Sequence, residues 1–198
     1  MYTNEELRKL LEHQALLVNH DEPFVLASGI KSPYIFNVKN ICFNEGSVLL
    51  ADAILTLLED EHFDYIAGME VGAIPIISAV CTRSRSVPGR KPVNGFFVRK
   101  EAKRHGTKAR IDGIRDLPPS QVIVIEDVTT TGGSVIGVIN VLRSLGCTVE
   151  KVITVIDRLE GAEDALGKEG VELVALFKVG DFSIPAEDAL EKNRGVQN

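Results

Sequence analysis

The sequence predicts an α/β fold: a doubly wound, mainly parallel sheet flanked by helices, with a small N-terminal hood. Three observations carry this expectation. From Asp64 onward, short β-branched runs alternate with segments of helical spacing, which is the rhythm of βαβ units. Two of those runs, Val122–Ile125 and Lys151–Ile156, are almost continuously apolar, as strands buried on both faces of a parallel sheet are. The front section lacks the rhythm and is expected to sit on the main sheet as a cap. Residues 1–43 are thus mostly hood, 44–180 core and 181–198 a C-terminal tail, all in one domain of 198 residues.

Taken in order, Thr3-x-x-Glu6 reads as a capping box for a first helix. Leu7, Leu10, Leu11, Leu17 and Val18 form its apolar face. Phe24–Leu26 and Tyr34–Val38 are short strands around Ser28–Pro33, and Asn44 caps a second helix running to about Glu59. Asp64–Ala67 is a strand, 68–73 a tight loop, Ile74–Ser84 a helix and Val93–Val98 a strand. The long polar segment 99–113 follows, then strand Val122–Ile125 and the helix Gly133–Leu145. Strand Lys151–Ile156, a short helix at Ala162–Lys168 and strand Val171–Val179 complete the set. In such a sheet ligands bind at the carboxyl ends of the strands. Loop 68–73, the segment after Val98, the stretch 127–134 and Arg158 should therefore share one edge.

Composition narrows the function classes. The balance of 44% apolar and 25% charged residues is that of an ordinary globular protein. A net charge of −6 gives no global reason to expect nucleic acid or an anionic membrane as partner. The N-terminus has no signal-peptide shape and no apolar run is long enough to span a bilayer, so a cytoplasmic location is expected. Cys42, Cys81 and Cys147 are scattered without metal-ligand spacing and read as reduced core thiols, and no protein-held metal site is expected.

Two stretches carry chemistry. Glu126-Asp127-Val128-Thr129-Thr130-Thr131-Gly132-Gly133-Ser134 joins a buried strand to a helix. Its glycines let the backbone approach a ligand, and the amides at the helix start attract an anion, most often phosphate. The two acids would repel a bare phosphate, and fit a ligand with hydroxyls beside its phosphate, such as a ribose 5-phosphate. The second stretch, Arg99-Lys-Glu-Ala-Lys-Arg-His-Gly106, is cationic. Charge runs are usually solvated faces. A long polar loop within a compact domain is more often a lid, and its cations would stabilise a departing anion. Gly68–Pro75 is a weaker candidate for a second anion site. Arg158 either pairs with Glu160 or faces the crevice as a fork for a carboxylate.

Together these stretches resemble the type I phosphoribosyltransferase family. Phe97–Gly106, Ser28–Tyr34 and Asp157-Arg158 are most similar to its members that act on orotate. The resemblance spans roughly residues 20–180. It implies that phosphoribosyl pyrophosphate (PRPP) and orotate are the substrates and that Mg2+ rides on the diphosphate through ligand oxygens and water. By the same resemblance, Glu126 and Asp127 hold the ribose hydroxyls and Val128, Thr129, Thr130, Thr131, Gly132, Gly133 and Ser134 enclose the 5-phosphate. Arg99, Lys100, Lys103 and His105 bind pyrophosphate, with Lys103 and Asp127 catalytic. Ile35, Phe36, Thr130 and Arg158 receive orotate. It also implies a homodimer whose cationic loop reaches the neighbouring site. The chain departs from the family pattern at Ala27 and Gly72, positions where many members carry lysine. Two other readings stay open at this level: transfer to another base, and a non-catalytic regulator that senses PRPP.

Overall fold

The N-terminal residues fold first as a helix and then, against their own periodicity, as a strand. The structure is a computed structural model that describes residues 4–25, 31–101 and 110–184. Helix α1 (Asn4–Leu10) begins with Glu5 and Glu6 and ends with Arg8 and Lys9, charges that complement its dipole. It passes through a π turn (Leu11–Ala15) into strand β1 (Leu16–Val18). Leu17 and Val18 therefore lie in a strand, which corrects the helix expected there. The cause is tertiary: β1 pairs antiparallel with β4 (Tyr34–Phe36), Leu16 opposite Phe36 and Val18 opposite Tyr34. Between them β2 (Phe24–Val25) and β3 (Lys31–Ser32) form a second small antiparallel pair. Thr3, the expected cap, lies outside the described residues, as do 26–30.

A 3-10 turn (Val38–Ile41) leads to helix α2 (Gly46–Leu57), whose N-cap is Glu45 and not the expected Asn44; Asn44, one residue earlier, accepts the Gly46 amide at its Oδ1 at 2.9 Å. The core then alternates: β5 (Tyr65–Met69), α3 (Ala73–Ser86), β6 (Gly95–Val98), β7 (Ile111–Asp112), β8 (Gln121–Thr129), α4 (Gly133–Ser144), β9 (Thr148–Asp157), α5 (Ala162–Lys168) and β10 (Glu172–Lys178). These strands make one sheet in the order β10-β9-β8-β5-β6-β7, parallel except where β7 pairs back on β6. The segment 99–113 thus starts and ends on an antiparallel ladder, Phe97 facing Asp112 and Val98 facing Ile111, where the sequence suggested no strand.

The pleat of β8 separates two cores. Ile123 and Ile125 pack with Ile76, Ile77 and Val80 of α3 and with Leu50 and Ile54 of α2. Val122 and Val124 pack with Val138, Ile139 and Leu142 of α4 and Leu166 of α5. Helices on both faces explain why the strand reads as a continuous apolar run. The hood seals onto the first core, Phe36 and Phe182 lying 4.8 Å apart at their ring centroids. Strand β8 extends to Thr129, four residues beyond the expected end, because β9 continues the ladder to Thr129 opposite Asp157. Glu126 and Asp127 accordingly belong to the strand itself. Among the described residues no helix is long and apolar enough to cross a membrane.

Candidate active site

Parallel strands deliver their loops to one edge, and that edge holds a cavity of about 640 Å³ between the β8–α4 connection and the hood. Its floor is Glu126 to Val135, without interruption. The hood contributes Ile35, Phe36 and Lys39, and the end of β9 contributes Arg158. Of the residues read from the sequence, the structure brings together Ile35, Phe36, Arg158 and all of 126–134. Arg99 and Lys100 lie outside the cavity wall, and Lys103 and His105 lie outside the described residues.

The cradle is shaped by Gly132, whose φ of +83 admits glycine readily and L-residues poorly. From that left-handed residue α4 begins at Gly133, Ile136 N donating to Gly132 O at 2.9 Å. The next loop braces it, Ala162 N donating to Thr130 O at 3.1 Å. The first residues of α4 line the cavity, and the unpaired amides of a helix start suit a phosphate. Thr129 differs from its neighbours. It is buried and its hydroxyl donates to Asp157 Oδ1 at 3.1 Å, so it braces the wall.

Glu126 and Asp127 stand side by side. Glu126 Oε2 is buried and has no hydrogen-bond partner among the described residues. Burial, and then the charge of Asp127, push the Glu126 carboxyl well above the usual carboxylate range. Asp127 Oδ1 accepts the Val128 amide at 3.0 Å. Its carboxylate also presses on the 68–73 loop: a Cβ built on Gly72 would meet Asp127 Oδ2 at 2.4 Å. A side chain at 72 would require that carboxylate to move.

The raised Glu126 carboxyl has a stability consequence. Because the folded state keeps a proton that the unfolded chain releases above the ordinary value of 4.5, stability is full below that value. It falls as pH rises toward the raised folded value, by about 1.4 kcal/mol per pH unit within that window. Glu126→Gln is therefore expected to melt above the wild-type protein at pH 7–8, by about 3 °C for each kcal/mol recovered, with the gap closing near pH 4. Melting curves across that range check it; a constant offset at all pH values would show that the carboxyl is not held neutral by the fold.

Arg158 resolves the ambiguity left by the sequence, because it does both things. Strand β9 ends at Asp157, whose Oδ1 also accepts the amide of Leu159, a residue held at φ 59. That sharp turn leaves Arg158 buried with its guanidinium toward the cavity. Its Nε lies 2.8 Å from Glu160 Oε1, an ion pair at an angle that misses a hydrogen bond. Nη2 donates to Ser32 Oγ at 3.0 Å and Nη1 to Tyr34 O at 3.4 Å, while the guanidinium carbon sits 4.5 Å from the Tyr34 ring centroid. The hood thus holds this cation over an aromatic ring.

The cationic segment is anchored beside the 68–73 loop, where the Glu70–Val71 peptide is cis. Lys100 N donates to Glu70 Oε1 at 2.9 Å. The Arg99 guanidinium lies 3.8 Å from both Glu70 and Asp112. Arg110 Nη2 donates to the carbonyls of Arg99 and Lys100 at 3.1 and 3.0 Å. Both ends of the segment are fixed at the sheet edge that bears the cavity. Lys39 and Val135 are the cavity residues that sequence reasoning missed; Val135 directly continues the cradle, whereas an isolated lysine in a short turn belongs to no motif.

Comparison with known proteins gives concordant results. A model of the phosphoribosyl transferase domain matches residues 43–180. An orotate phosphoribosyltransferase of Bradyrhizobium sp. is 44% identical over 161 residues, covering 79% of this chain and 86% of its own length. One from Synechocystis sp. is 39% identical over 181 residues, covering 89% of each chain. Among solved structures, Mycobacterium tuberculosis orotate phosphoribosyltransferase in complex with Fe(III) dicitrate is similar with a TM-score of 0.75 and 28% identity. That likeness covers 90% of this chain and 97% of that one.

Proposed function

This chain belongs to the phosphoribosyltransferase family, and from that premise we propose that it is an orotate phosphoribosyltransferase. It transfers ribose 5-phosphate from PRPP to orotate, giving orotidine 5-monophosphate and pyrophosphate, a step of pyrimidine biosynthesis. One observation carries the choice of base: a buried, hood-braced arginine opens onto the same cavity as the phosphate cradle. A carboxylate on the base gives that cation a ligand partner, whereas an uncharged purine offers no matching anion.

The cradle at Thr130–Ser134 receives the 5-phosphate. The unpartnered Glu126 Oε2 and the Asp127 carboxylate accept hydrogen bonds from the ribose hydroxyls. Ile35 and Phe36 flank the base, whose carboxylate meets Arg158. As the base nitrogen bonds to the anomeric carbon, the bond from that carbon to the diphosphate oxygen breaks. Positive charge grows on the sugar ring and negative charge on the departing diphosphate. Orientation and fixed charges lower that barrier, with no covalent nucleophile. Lys100, Lys103 and His105 supply cations to the leaving group. Oxygen donors at the cavity floor suit a hard divalent cation. When bound, Mg2+ neutralises part of the diphosphate charge and is held mainly by the substrate's own oxygens and water.

Two further readings concern the assembly. Phe43 is 84% exposed and Val71 66% exposed, large apolar side chains at the α2 entrance and on the 68–73 loop. Covering them in a homodimer removes that surface from water and sets the cationic loop of one protomer beside the partner's site. A cytoplasmic location suits the thiols, since burial pushes Cys42 up to about 11 and leaves it protonated at neutral pH. The direct test follows orotate absorbance with PRPP and magnesium. Turnover of orotate, with adenine, xanthine and uracil ineffective, is the expected result. Absence of orotate turnover at high enzyme concentration would refute it.

A further inference from the structure

We propose that Lys39 is a substrate-binding residue that grips the diphosphate of PRPP from the hood side of the cavity. The inference rests on the reading of the site as a phosphoribosyltransferase.

The cavity wall carries two cations, Lys39 and Arg158, above two carboxylates, Glu126 and Asp127. Arg158 is already engaged by Glu160, Ser32 and Tyr34. Lys39 is different: among the described residues its ammonium makes no ion pair and donates no side-chain hydrogen bond. A lysine that lines a cavity without a protein partner has its full donor capacity available to a ligand.

Its position selects which part of the ligand. Lys39 lies in the 3-10 turn Val38–Ile41, three residues beyond Phe36, so the hood presents the base-flanking side chains first and this cation after them. Lys39 shares the cavity lining with Glu126 and Asp127, so its ammonium is available to an anionic group of a ligand seated over those carboxylates. Asp127 in turn packs against the Gly72 backbone, at the start of α3. Asp127 thus adjoins the 68–73 loop, whose Glu70 in turn holds the root of the cationic segment at Lys100.

There is also an electrostatic need for it. Glu126 and Asp127 are placed for ribose hydroxyls, yet they stand close to where a multiply charged diphosphate must lie. Repulsion between these groups weakens binding unless a cation sits between them. Lys39 is the free cation of the described cavity wall, and a charge-assisted hydrogen bond from its ammonium offsets that repulsion.

The test uses full-length Lys39→Ala, Lys39→Gln and Lys39→Arg enzymes. Inhibition by inorganic pyrophosphate and by ribose 5-phosphate is measured alongside KM for PRPP and orotate. The alanine and glutamine variants should raise the PRPP KM and the pyrophosphate inhibition constant by about tenfold, the scale of one charge-assisted hydrogen bond. Orotate KM and ribose 5-phosphate inhibition should stay within about twofold on the same scale, and arginine should restore most of the loss. Unchanged pyrophosphate inhibition overturns the proposal, as does an equal loss toward ribose 5-phosphate. A loss that arginine does not rescue and that comes with a lower melting temperature also overturns it, because it marks a structural role. Calorimetric binding of pyrophosphate needs no base and separates the two readings. A wild-type enzyme that binds pyrophosphate through Lys39 but transfers to another base refutes orotate alone. Normal orotate turnover with an unaffected Lys39→Ala variant refutes the Lys39 assignment alone.

Discussion

Replacing Lys103 by alanine is expected to lower kcat about 10²–10³-fold, the cost of removing one preorganised charge from a developing anion, while leaving the melting temperature unchanged. The neighbouring cations give the reason for choosing this residue as the test. Arg99, the first cation of the segment, is flanked by Glu70 and Asp112 at 3.8 Å each, so its charge is already balanced. Lys100 is tied through its amide to Glu70, and its side chain is exposed at the root of the loop. Beyond that root the next cations in the sequence are Lys103, Arg104 and His105, of which Lys103 and His105 are the ones proposed to meet the leaving diphosphate. Lys103 and His105 lie outside the described residues, and the described anchors of the segment are at its two ends. Arg110 fastens the far end through the carbonyls of Arg99 and Lys100, which fixes both ends of the loop at the active-site edge. Single-turnover kinetics should show loss in the chemical step with PRPP affinity changed little. If the variant keeps a near-normal rate, the catalytic role assigned to Lys103 is wrong. If the loop serves a partner's site, mixing it with Arg158→Ala protein at low orotate should give more activity than the two proteins show separately, because a mixed dimer would then hold one intact site. No recovery would place the loop in its own subunit's site.

How far the fold was legible depended on whether local sequence or a distant partner decided each element. The alternation of Val122, Ile123, Val124 and Ile125 announced a strand buried on both faces, and the two cores divide along that pleat. Its end was not legible. Glu126 and Asp127 break the apolar pattern, yet the ladder to β9 runs on to Thr129, and the partner that extends it is 28 residues away. Leu17 and Val18 show the reverse case. Their spacing suits a helix, but pairing with Tyr34 and Ile35 decides the matter, as tertiary contacts override weak propensity.

The site divides in the same way. Glu126 to Ser134 could be read because they are contiguous, and one strand–loop–helix unit supplies the whole cradle. Lys39 could not, because its meaning appears only when the hood folds over that cradle. Arg158 was half legible: the sequence offered Glu160 as a partner or the crevice as a destination. The fold provides both, since the turn at Leu159 leaves the ion pair at Nε and aims the remaining nitrogens across the cavity wall.

Arg158→Ala should therefore be the most selective lesion available, raising orotate KM by about 100-fold, near 3 kcal/mol. PRPP binding should change little. Of the five guanidinium N–H groups, one points at Glu160, one at Ser32 and one at Tyr34 among the described residues, which leaves one on each terminal nitrogen. Arg158 lines the cavity, and one free N–H on each terminal nitrogen is the pair a carboxylate can accept in bidentate form. Truncation removes this fork, and it also leaves Glu160 unpaired and Tyr34 without its stacked cation. A fall in stability is thus expected from the same change, so the orotate effect must be separated from it. Arg158→Lys does so, since it keeps a charge near Glu160 but cannot form the planar double contact. It should stay folded, bind PRPP normally by calorimetry and still lose most of its preference for orotate over uracil. Should Arg158→Lys retain the wild-type orotate-to-uracil ratio, base selection lies elsewhere in the cavity and Arg158 serves only to hold the hood to the sheet.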